Sequence, residues 1–118
     1  MQKYLLSTVI SCAALLLATT ANARSYDGSW SLVFSTQRGA CDTYNFSVNI
    51  NDGVVTHPNL VKFKGYVGRS GAVRASVTVH DKYASGSGRL TEDSGRGIWN
   101  GRAAGERCSG YWTAHRNQ

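Results

Sequence analysis

Cys108-Ser109-Gly110-Tyr111-Trp112-Thr113-Ala114-His115-Arg116, close to the end of the chain, answers Gly28-Ser29-Trp30-Ser31-Leu32-Val33-Phe34 near its start. Each stretch carries a Gly-x-Trp unit. Each also has a cysteine at one end, Cys41 a few residues after the first and Cys108 opening the last. Read as neighbouring strands, they place the two cysteines where one disulfide fastens the beginning of a β domain to its end.

Between these stretches the period is two. Residues 44–50 alternate apolar Tyr44, Phe46, Val48 and Ile50 at even positions with polar Asn45, Ser47 and Asn49 at odd ones, apart from the polar hydroxyl of the tyrosine. Asn51-Asp52-Gly53 follows as a hairpin signal, with glycine supplying the positive φ. A short return strand over 54–57, which takes in His57, stops at Pro58, a residue that has no ladder donor. Val61, Phe63, Gly65 and Val67 then share one face, and Lys62, Lys64 and Tyr66 the other. After a turn over 68–71, Val73, Ala75, Val77 and Val79 face in while Arg74, Ser76, Thr78 and His80 face out. A strand over 83–91 sets Ala84, Gly86, Gly88 and Leu90 inward. A turn is expected over 92–95, a strand over 96–102 carrying Gly97 and Trp99, and a turn over 103–105 before the last strand. No stretch of the domain sustains a helical period. The expectation is an all-β fold, a small eight-stranded antiparallel up-and-down barrel closed by one disulfide.

Parity links the strand count to the cysteines. In a closed meander of eight, the last strand runs opposite to the first, so Cys108 starts at the end where Cys41 finishes. Seven strands would separate them by about 20 Å at roughly 3.3 Å per residue, whereas a disulfide spans Cα atoms at most about 7 Å apart; a sandwich whose terminal strands are neighbours would also satisfy the bond. Such a bond closing most of the domain is worth roughly 4 kcal/mol in the chain-entropy model.

Ahead of the barrel, Lys3, an apolar run over 5–17 and Ala21-Asn22-Ala23 read as a signal peptide over 1–23, cut before Arg24. The run of about thirteen residues is too short to cross a bilayer of roughly 30 Å as a helix. The expected domain is 24–118, one barrel without a linker, exported to the periplasm or beyond, where an even cysteine pair favours a disulfide.

Here the residues resemble a family. Gly28-x-Trp30 with Arg116 at the end of the last strand resembles the calycin pattern of lipocalins and avidins, in which a terminal-strand arginine lies across the first-strand tryptophan at the closed end. Stretches 26–30, 37–41, 70–77 and 108–112 also resemble small secreted proteins of uncharacterised function from rhizobial-type alphaproteobacteria, a likeness that implies a bacterial exported protein and no activity. The chain is shorter than a typical lipocalin and lacks its C-terminal helix, so a deep ligand cavity is not expected.

Little in the sequence points to an enzyme. His57, His80 and His115 sit on different expected strands without ligand spacing, so no metal or cofactor is assigned. The seven carboxylates, Asp27, Asp42, Asp52, Asp81, Glu92, Asp93 and Glu106, fall mostly in turns or at strand ends. No pair among them is singled out for glycosidase chemistry, and no serine has a histidine and an acid to activate it. Trp30, Trp99 and Trp112 read as an aromatic core in which each nearby glycine makes room for a ring.

The whole chain carries a formal net charge of +6, a balance suited to anionic partners. Lys62, Lys64, Arg74 and Arg89 occupy outward positions on three consecutive strands, with Tyr66, His80 and Ser87 near them. They form the candidate ligand-binding face for an anionic polysaccharide or other envelope component. Nucleic acid is disfavoured, because no ladder of exposed aromatics accompanies the charges. The expected function is a secreted or periplasmic binding protein acting through this face or through a small cavity. The alternative is an inhibitor or other protein-directed factor for an exported hydrolase, whose loops at one barrel end enter a partner's cleft; loops 68–71 and 103–106 are short and built of small residues, which favours the first reading.

Overall fold

Alternation of apolar and polar residues folds the chain into eight antiparallel strands: β1 (Gly28–Arg38), β2 (Tyr44–Asn51), β3 (Val54–Thr56), β4 (Phe63–Val67), β5 (Ala72–Val79), β6 (Lys82–Leu90), β7 (Ser94–Ala103) and β8 (Glu106–Arg116). Each pairs with the next, and β8 returns to β1 to close the barrel. The structure is a computed structural model describing residues 26–59 and 62–117. The expected signal peptide, the cut before Arg24 and Val61 lie outside them.

The seam between first and last strands runs from Trp30 opposite Arg116 to Phe34 opposite Trp112, then passes a bulge between Thr36 and Arg38. Cys41 and Cys108 are joined, with Cα atoms 6.1 Å apart across a sequence separation of 67. Gly39 makes this junction possible. At φ 90° it brings the backbone against Cys108, where a Cβ would meet Sγ at 2.7 Å.

Several boundaries differ from the sequence reading. His57 lies just beyond β3, and His80 is in the two-residue turn between Val79 and Lys82 at φ 55°, so neither extends a strand. Lys62 precedes β4 in a turn whose carbonyl accepts the Thr78 N–H at 3.2 Å. Ser94 and Gly95, expected in a turn, already pair with His115 and Ala114 of β8. The β2–β3 hairpin has positive φ at Asp52 as well as Gly53, as a two-residue type I′ turn requires.

Inside, Trp30, Trp99 and Trp112 are buried together with Val48, Ile50, Val55, Leu90 and Ala114. Their indole N–H groups donate to the carbonyls of Tyr26 (2.9 Å), Ser35 (3.1 Å) and Ser87 (3.1 Å). Buried donors left unmade would cost about 1–3 kcal/mol each. Among the described residues no buried side-chain nitrogen or oxygen lacks a partner. Gly88 and Gly97 are opposite each other on β6 and β7, and a Cβ on either would come within 2.5 Å of the Trp112 indole. Their missing side chains are the space that ring fills.

The two ends of the barrel are built differently. Trp30 and Arg116 plug one, the guanidinium carbon 4.7 Å from the ring centroid. Around the other stand the disulfide, the β5–β6 and β7–β8 turns, His57 just after β3 and Lys62 just before β4, with nothing as large as an indole among the small inward residues Ala84, Gly101 and Ala103.

Candidate functional site

The unplugged end opens into an apolar cavity of about 240 Å³. Phe34, Phe46, Val77, Val79 and Trp99 form its walls and floor, with Lys82, Tyr83 and Arg102 at the rim. The aromatic rings interlock: Phe34 meets Phe46 edge to face at 5.6 Å and Trp99 in a tilted contact at 6.0 Å, and Phe46 is edge to face with His57 at 6.0 Å. This packing fixes the wall, since edge-to-face pairs contribute about 0.5–1.5 kcal/mol beyond area burial. Beneath lies a further void of only about 50 Å³ among Trp30, Leu32, Trp112 and neighbours. The usable space is therefore at the mouth.

One of the two cations at the mouth is a residue that the expected strand over 83–91 leaves just outside its start. Lys82 opens β6 two positions before Ala84, on the inward row, and its Nζ is 5.9 Å from the centre of the Tyr44 ring. Extending the alternation of β6 back by one step would have found it. Arg102 is one strand away, opposite Tyr83. The mouth thus has an apolar depth and a cationic, hydroxyl-bearing rim.

On the outer wall, the expected basic residues are partly dispersed. Tyr66 is directly opposite Arg74, and Lys64 is opposite Ser76 two pairs along, on the same face, so these three are brought together. Arg89 faces Ala72 and Arg96, and its guanidinium donates to the Ser70 carbonyl at 3.0 Å, toward the plugged end. Lys62 stands at the opposite end of β4, and His80 is carried away in its turn.

What the sequence reading missed is a groove of about 530 Å³ between Lys64, Tyr66 and Arg74 on one side and Ile98 and Asn100 on the other. It runs on, through Ser85 and Asn100, into a second stretch of about 440 Å³ lined by Arg38, Arg102, Arg107 and Ser109. Among the described residues no three His, Cys, Asp or Glu side chains gather as metal ligands would.

The chain matches no protein-family model, no characterised protein and no solved structure. What the protein binds has to be read from its own side chains.

Proposed function

We propose that the protein is an exported binding protein that holds a small amphipathic anion in the barrel mouth, apolar part inward and acidic group at the rim. One observation carries this reading: the 240 Å³ cavity is walled by aromatic and branched side chains and rimmed by Lys82 and Arg102. Its volume exceeds the roughly 150 Å³ of an engineered apolar cavity that binds benzene, and suits one ring system or a short acyl chain. Because the three indole N–H groups are all bonded to backbone, the interior offers a ligand shape and apolar contact. Polar selection is left to the rim. The disulfide supports an oxidising compartment, periplasmic or extracellular.

Titration with a short-chain fatty acid and with an anilinonaphthalene sulfonate, followed by fluorescence and calorimetry, tests the reading. Val79→Trp fills the mouth and should abolish binding of both. Lys82→Gln should weaken both while sparing a neutral aromatic of similar size. Undiminished binding by Val79→Trp would remove the mouth from consideration.

A further inference from the structure

The register of the barrel writes one row of side chains around the outer wall. Lys64 pairs with Ser76, Ser76 with Ser85, Ser85 with Asn100, Asn100 with Ser109, and Ser109 with Arg38. Six strands at a spacing of about 4.8 Å make this row on the order of 24 Å long. Ser76, Ser85 and Ser109 are only half exposed, because bulkier rows rise on both sides. Tyr66, Ile98 and Tyr111 flank it along one edge at 63%, 54% and 58% exposure. Along the other edge are Tyr83, 49% exposed, and Arg102 and Arg107. The result is a furrow lying across the strands, with a hydroxyl and amide floor, aromatic and apolar ridges, and a cation at each end.

Charge is distributed to match. All seven acidic residues of the chain lie at the two ends of the barrel, in turns and loops or at the first residue of β8, and none faces outward from mid-strand. The furrow therefore has Lys64, Arg74, Arg38, Arg102 and Arg107 about it and no carboxylate among its lining residues. The opposite side of the barrel, where β2 presents Asn45, Ser47 and Asn49, is uncharged. Clefts lined by one sign of charge concentrate ligands of the other.

We infer that this furrow binds a linear anionic polysaccharide, its acidic groups meeting the cations at the ends and edges and its neutral hydroxyls meeting the serine and asparagine floor. Serine hydroxyls and the Asn100 amide donate and accept, as sugar hydroxyls do. Tyr66, Tyr83 and Tyr111 offer rigid, amphipathic faces for sugar rings. A single-stranded nucleic acid fits less well. Its bases need consecutive aromatic platforms, and along the flanking row Arg74, Ser87 and Ile98 separate Tyr66 from Tyr111. The furrow is outside the wall and shares only Tyr83 and Arg102 with the rim of the mouth, so its floor stays clear of a side chain that fills the mouth from within.

Calorimetry with a linear oligogalacturonate at low and physiological salt tests the inference, with neutral dextran and a single-stranded oligodeoxynucleotide as comparators. Binding of the oligogalacturonate and none of dextran is expected. Ser85→Trp and, separately, Asn100→Trp put an indole on the furrow floor, and each should weaken binding at least tenfold with an unchanged β-sheet circular dichroism spectrum. Should either fail to fold, Lys64→Gln with Arg38→Gln, which removes only the end cations, should lower affinity and flatten its salt dependence. Arg96→Gln, on the same wall but outside the furrow, should bind like the parent, as should the mouth-filling Val79→Trp. Equal losses in Arg96→Gln and the furrow variants would reduce the effect to general charge and overturn the inference. So would tighter binding of the oligodeoxynucleotide than of the oligogalacturonate, or no binding of the oligogalacturonate at low salt.

Discussion

The guanidinium of Arg116 lies over the indole of Trp30, its central carbon 4.7 Å from the ring centroid, while the two residues are direct partners across the β1–β8 seam. The same side chain donates to the Asp27 carbonyl at 2.6 Å and to the Glu92 carbonyl at 2.7 Å. One residue thus caps the plug, anchors the entry to β1 and holds the β6–β7 turn. Its planar fork can do all three because its donors diverge in a fixed plane.

Trp30→Ala should cost about 3–5 kcal/mol, the range for deleting a large buried aromatic. Arg116→Lys keeps the charge but lacks the fork, so it should destabilise by about 1–3 kcal/mol, the cost of hydrogen bonds lost to a charged group. Urea titration measures both. A lysine variant as stable as the parent would leave the arginine as surface decoration.

The disulfide should be present in exported protein and should matter. Replacing both cysteines by serine frees a loop whose ends are 67 residues apart, for a loss of roughly 4 kcal/mol. Peptide mapping of the non-reduced protein, together with the urea midpoint of the double variant, checks this. Two free thiols in the exported protein would contradict it.

Glycines of the barrel separate into two kinds. At Gly97 an added Cβ would come within 2.5 Å of the Trp112 indole and strike the Ser87 carbonyl as well, whereas at Gly105, in the β7–β8 turn, it would meet nothing within 4 Å. Gly97→Ala should therefore reach the upper part of the roughly 1–3 kcal/mol that overpacking costs. Gly105→Ala should lose only the backbone cost of its positive φ, about 1 kcal/mol. Gly97→Ala melting with Gly105→Ala would mean that Trp112 does not use the space.

The alternation in β2, β5 and β6 made the inner and outer faces legible in the sequence, because a period of two needs no partner to be seen. Parity did the same for the strand count: within a closed meander, Cys41 and Cys108 are neighbours only if that number is even. The furrow was hidden for the opposite reason. Lys64, Ser76, Ser85, Asn100, Ser109 and Arg38 are aligned by register across six strands, and register depends on turn lengths and on the bulge between Thr36 and Arg38. No single strand announces it. The mouth was equally hidden, since its volume comes from Trp99 sitting one layer below Ala84, Gly101 and Ala103, a difference in depth and not in pattern. A deep cavity was not expected, and beneath the mouth the void is only about 50 Å³.

Only one tryptophan reports on the mouth. Trp99 lines the 240 Å³ cavity, while Trp30 and Trp112 line the small void beneath it. A ligand entering at the rim would meet the Phe34, Phe46 and Trp99 cluster first and change the surroundings of that indole alone. The change in indole emission on adding anilinonaphthalene sulfonate or a short-chain fatty acid should therefore disappear in Trp99→Phe. It should persist in Trp112→Phe, whose ring lies deeper and whose loss costs the Ser87 hydrogen bond without opening the rim. Affinities from calorimetry accompany each titration, so that a silent probe is distinguished from lost binding. If the signal vanished with Trp112→Phe and survived Trp99→Phe, the ligand would be reaching the barrel from elsewhere, and the mouth would be ordinary solvent-filled surface.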